Sequence, residues 1–123
     1  MTAVLDIDIN DLDSLSYYTG LKSNENIEYV VASEPMMGSQ AYSFVLLKVE
    51  NTADIDKIKQ EIYDNIDTRK WICVEAENLY VTSYDTVIAM IMADAVWADE
   101  IYEEFTSLAG ENLGSSLERK IKE

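Results

Sequence analysis

Apolar residues recur along this chain with two different periods. Ile55, Ile58, Ile62 and Ile66 fall at three- and four-residue intervals, the spacing that keeps side chains on one face of an α-helix. They predict a helix over about 53–67, with Asn51 or Thr52 as a cap and Asp54 and Asp56 in its positive first turn. Leu12, Leu15, Tyr17 and Tyr18, preceded by Asn10 or Asp11 and followed by Gly20, predict a short helix over 11–19. Trp97, Ile101, Phe105 and Leu108 form a packing stripe between a cap at Asp94 and Gly110. Between the helices the pattern changes to β-branched and aromatic runs. IEYVVASE, with Ile27, Tyr29 and Val31 on one face, and AYSFVLLKVE from Ala41 predict two strands joined by EPMMGSQ. In that loop Pro35 lacks a backbone donor and ends a strand, while Gly38 is free to take a positive φ. NLYVTS and TVIAMIMA predict a second hairpin turning at Tyr84 and Asp85. The stretch 69–76 around WICVEA reads equally as an extension of the preceding helix or as a strand.

The element order is therefore αββαββα. It predicts an α+β domain of two layers, a four-stranded, mostly antiparallel sheet of two hairpins with helices packed on one face. Residues 1–10 read as an acidic arm, alternating Asp and Ile as a short edge strand or a solvated segment does. Residues 11–110 read as a single domain and 111–123 as a polar tail. At 123 residues, 48% of them hydrophobic, one core is expected.

Charge narrows the partners. Nine basic residues stand against twenty-four acidic ones, net −15, and such a surface repels phosphate backbones and anionic lipid headgroups. Nucleic acid and direct binding to an anionic membrane are not expected, and no run approaches spanning length. The chain has no histidine, which excludes serine, cysteine and zinc chemistry in their usual His-dependent forms. The single cysteine, Cys73, lies in the apolar run WICV and reads as a buried thiol that packs as a small hydrophobe.

The remaining chemical motifs are weak. Asp6, Asp8 and Asn10 match the first oxygen-ligand positions of a calcium loop, but Asp11 stands where the turn needs glycine and Tyr17 where a glutamate must close the site. The acidic pairs Glu75 and Glu77, and Glu103 and Glu104, fit a solvated face as readily as acid–base work. Met90 and Met92, two apart on a strand, share a face and read as core. Met36 and Met37 are thioethers without a third soft ligand, so neither a metal site nor a cofactor is expected. The binding residues singled out are Pro35, Met36, Met37 and Gly38; no catalytic or metal-ligating set is assigned.

EYVV with PMM three residues beyond, YYTGL from Tyr17 to Leu21, and RKWICVEAENLYV together resemble a family of small, uncharacterised bacterial proteins, a domain of unknown function. The resemblance covers roughly residues 11–108 and centres on a strand ending in PMM. Many members look like lipoproteins with a signal peptide and a lipid-attached cysteine ahead of the domain. It implies an extracytoplasmic or cell-surface protein where such a leader was trimmed, and a cytoplasmic one otherwise. It supplies no functional residues. The expectation is a non-enzymatic binding or accessory module, envelope-associated where tethered, that contacts a protein or peptide partner. The alternatives are an enzyme using carboxylate, Ser or Tyr without His, and a calcium-responsive envelope protein.

Overall fold

The computed structural model describes residues 2–35, 41–70 and 75–121. Among these the chain runs through β1 (Thr2–Ile7), α1 (Leu12–Thr19), β2 (Ile27–Pro35), β3 (Ser43–Val49) and α2 (Ile55–Asn65). It continues through β4 (Asn78–Tyr84), β5 (Val87–Ala93), α3 (Ala95–Ala109), a 3-10 turn (Gly110–Asn112) and β6 (Leu117–Lys120). The strands form one antiparallel sheet in the order β1-β2-β3-β5-β4-β6.

The α+β class and both hairpins are as the pattern predicts, but the sheet has six strands, not four. The two extra strands come from the segments read as arm and tail. β1 lies along β2 with Leu5 opposite Ala32, and β6 lies along β4 with Leu117 opposite Val81. Each is short and mixes charged with apolar positions, so ladder hydrogen bonds to a neighbouring strand hold it more than its own propensity does.

Local chemistry sets the element ends. Asp11, Asp54 and Asp94 cap the three helices, each accepting from the backbone N–H three residues on. Asp54 thus takes the capping role that the pattern assigns to Asn51 or Thr52, because the α2 backbone enters helical geometry only at Ile55. The α3 cap is doubled: Glu77 Oε1 accepts from Ala95 N–H at 2.9 Å. The β4–β5 turn needs no glycine because Asp85 itself adopts a φ of 50°, a region Asp tolerates better than most residues. A bulge between Ile27 and Tyr29 breaks the predicted face of β2: Ile27 is buried, whereas Tyr29 is 53% exposed. The stretch 69–76 shows neither helix nor strand in its described residues: Arg69 and Lys70 lie in a turn, and Glu75 and Ala76 are irregular.

Gly20 closes α1 in the left-handed region, with φ of 81° and its N–H donated to Ser16 O at 2.8 Å. A Cβ there would lie 2.7 Å from Ile66 N and 2.9 Å from Asn65 C, backbone atoms at the end of α2. Gly20→Ala combines left-handed strain with this overlap and is expected to cost roughly 2–4 kcal/mol. Urea denaturation checks this; a loss below about 0.5 kcal/mol, the usual surface value, would contradict it.

The strands alternate between two faces. Val30, Ala32, Val45, Leu47, Leu79, Val81, Ile88, Met90 and Met92 point to one face and pack with Leu15 of α1 and Ile62 of α2 in the main core. Tyr80, Ile91 and Ala93 point to the opposite face, where Ala98 of α3 covers them. The helices therefore occupy both faces, not one. VIAMIMA explains why: from Val87 to Ala93 both alternating sets of residues are apolar, so a strand made of it requires cover on both sides. β4 and β5 are buried on both faces, while β3 alternates buried and half-buried positions because its second side lies beyond α3.

Candidate functional site

Pro35 ends β2 opposite Thr2 at the sheet edge. Met36, Met37 and Gly38, the rest of the binding stretch expected from sequence, lie outside the described residues, as does Cys73. Residues on either side of that stretch, Glu34 and Ser43, converge on a buried polar cluster. Glu34 on β2 and Ser43 on β3 share the α1/α2 face, and Lys70, which follows α2, reaches them. Lys70 Nζ donates to Glu34 Oε1 and to Ser43 Oγ at 3.3 Å, and Ser43 Oγ donates to Glu34 Oε1 at 3.1 Å. The ammonium also lies 4.7 Å and 4.9 Å from the ring centroids of Tyr17 and Tyr18. Burial holds the Glu34 carboxyl above the usual range and the Lys70 ammonium below its own, each shift opposed by the partner's charge. Lysine beside serine is also a nucleophile–base pairing, but Ser43 is completely buried and its proton is committed to Glu34. The cluster is built as a cross-link between α1, β2, β3 and the segment after α2.

A second buried lysine ties down the C-terminal segment. Lys59 on α2 donates from Nζ to Ser83 Oγ at 3.0 Å, Ser115 O at 2.7 Å and Ser115 Oγ at 3.0 Å, and pairs with Asp56 at 3.2 Å. Hydrogen bonding to this ammonium holds the exposed Asp56 carboxyl below the usual range. All three Nζ protons are directed at oxygens of the protein. On the α3 face Tyr80 donates to Asp99 and stacks on Tyr102 at 4.3 Å. Burial, with that hydrogen bond second, pushes the Tyr80 phenol well above its ordinary value.

A large open surface feature lies along the other flank of α3. Here the helix and the outward side of β3 and β5 enclose a groove of about 1190 Å³. Its floor is Phe44 and Leu46 of β3 and Val87 of β5; its wall is Ile101, Phe105 and Leu108 of α3. Leu108 is 83% exposed. The stripe read from sequence as packing is thus only half used: Ile101 and Phe105 are half-buried against the sheet, while Trp97 at one end meets Tyr42 edge-on at 5.4 Å. Beyond the groove the same face continues over β2 and β1 through Val31 and the 72% exposed Val4, with no described helix above them.

Carboxylates rim the groove. Glu100, Glu103 and Glu104 of α3 line it, and its described lining holds neither Lys nor Arg. Of the acidic pairs noted in the sequence, Glu103 and Glu104 therefore stand at an apolar cleft, whereas Glu77 caps α3 and Glu75 lies 4.0 Å from Arg69. Asp8 accepts from Asn10 N–H and Asp11 caps α1, so two carboxylates of the calcium-like run serve backbone amides. Sequence reasoning missed the groove, although a signal was present. FVLL of β3 is apolar on both sides, and the described residues fully cover only one of them. Comparison with protein-family models, curated proteins and solved structures finds no significant match.

Proposed function

We propose that this chain is a binding module that contacts a protein or peptide partner through the groove between α3 and β3. The observation that carries this reading is the outward side of β3. Among the described residues Phe44, packed on one side toward α3, and Leu46 stay half-buried beside the exposed Leu108, so apolar area remains for a partner to cover. Among its described lining residues the groove offers shape and apolar surface with no hydrogen bond between Ser107 and a glutamate, which suits recognition better than bond making. Contact is assigned to this cleft; of the Pro35–Gly38 stretch expected from sequence, all but Pro35 lies outside the described residues.

Selection of peptides from a random display library against the folded domain tests the reading. Selected peptides are expected to perturb the backbone resonances of Leu46, Val87, Phe105 and Leu108. Leu108→Asp is expected to weaken them by at least about tenfold while changing stability by no more than about 0.5 kcal/mol, because the residue packs on little. Peptides that map elsewhere, or bind Leu108→Asp as tightly, would overturn it.

A further inference from the structure

Resting on that reading, we infer that the occupant of the groove is an amphipathic helix whose flank is cationic. Room and hydrogen bonding both select a helix. Five strand spacings make the sheet about 24 Å wide between its outermost axes, and packed helices lie about 8–10 Å apart, so each face has width for two helices side by side. The α1/α2 face carries two; the opposite face carries α3 over β4 and β5, leaving the side over β3, β2 and β1 open. A segment lying on the floor over β3 and β2 meets Phe44, Leu46 and Val31, on interior strands whose backbone groups already pair with strands on both sides. An extended peptide would bury unpaired N–H and C=O groups on that floor, whereas a helix satisfies its own.

Charge selects the sign. Glu100 and Glu104 stand one turn apart on the wall, with Glu103 beside them, so Lys or Arg at i and i+4 of a neighbouring helix would meet carboxylates. A second copy of this chain fits poorly. A two-fold interface through this groove would set the same three glutamates against their own images, between molecules that each carry a net charge of −15. The occupant therefore presents Leu-type residues at i, i+3, i+4 and i+7 to the floor and Lys or Arg to the wall.

The test uses synthetic peptides of 15 residues, the length of α3, with leucine at helical period. The other positions are lysine, glutamine or glutamate, and a fourth peptide has the Leu–Lys composition in strict alternation. Binding to the full chain is measured by calorimetry and mapped by chemical shifts. The helical Leu–Lys peptide is expected at the groove, bound more tightly than Leu–Gln, with Leu–Glu undetected and the alternating peptide much weaker. Raising ionic strength from about 0.01 to about 0.1 M, which shortens the Debye length from about 30 to about 10 Å, should weaken Leu–Lys by at least about tenfold. Combined Glu100→Gln, Glu103→Gln and Glu104→Gln should collapse its preference over Leu–Gln. If Leu–Gln and Leu–Glu bind the groove as well as Leu–Lys does, the cationic assignment fails and the binding reading stands. Equal binding of the alternating peptide would overturn the helix. If no peptide moves groove resonances, or if Leu46→Ser with Leu108→Ser leaves Leu–Lys affinity unchanged, both readings fall, the attraction then being to acidic surface at large.

Discussion

Replacing Lys70 by alanine lowers the unfolding free energy by about 3–5 kcal/mol, the usual consequence of stranding one charge of a buried pair. The reason lies in where Glu34 sits. Its residue is 7% exposed, its Oε1 receives both Lys70 and Ser43, and among the described residues its Oε2 has no hydrogen-bond partner. Without the ammonium the carboxylate must protonate or draw in water, and the contacts of Lys70 with Tyr17 and Tyr18 are lost as well. The companion variant is Glu34→Gln with Lys70→Met, which keeps the volume, lets Ser43 donate to the Gln oxygen and removes both charges. It should lie within about 1–2 kcal/mol of the parent, since a buried pair and its neutral replacement are often close in free energy. Urea denaturation followed by circular dichroism measures both. A Lys70→Ala loss under about 1 kcal/mol, or a double variant as unstable as the single, would show that the pair is not what ties α1 to the sheet.

The second large effect is expected at Lys59. Lys59→Met retains the aliphatic stem beside Ile62 and deletes the ammonium that joins α2 to Ser83 on β4 and to Ser115 ahead of β6. Hydrogen bonds to a charged group contribute about 1.5–3 kcal/mol each at most and are not additive, so a loss of roughly 2–4 kcal/mol is expected. The loss should be uneven. Gly114 N–H, donated to Ser83 O at 2.7 Å, and the amides of β6 should exchange with solvent much faster, while those of β3 and β5 change only with global stability. Uniform acceleration across the sheet, or none in β6, would contradict this account of the C-terminal segment. Burying a lysine in the middle of an isoleucine stripe is a choice that the period of the stripe does not reveal.

Helical spacing of Ile55, Ile58, Ile62 and Ile66, the caps at Asp11 and Asp94, Gly20 and the two hairpin patterns were legible because each is decided by neighbours within a turn or two of chain. The same holds for burial of Met90 and Met92, which a strand of that composition cannot leave in water. β6 was not legible as a member of the sheet, and the Asp/Ile alternation of the first ten residues left β1 open between an edge strand and a solvated segment, because what makes so short a segment a strand is the free edge of another strand lying beside it. The bulge at Ile27 and Tyr29 likewise depends on how β2 registers with β3.

Charge was set by composition, and with it the presence of glutamates along α3. Which face of the sheet α3 would cover was not. An apolar stripe on a helix specifies that it must be buried and says nothing of the surface that buries it, since either face of an apolar sheet serves equally well by area. The groove exists because α3 packs mainly over β4 and β5, leaving Phe44, Leu46 and Leu108 incompletely covered by the described residues. That outcome rests on packing between elements far apart in sequence, and so it belongs to the tertiary structure alone.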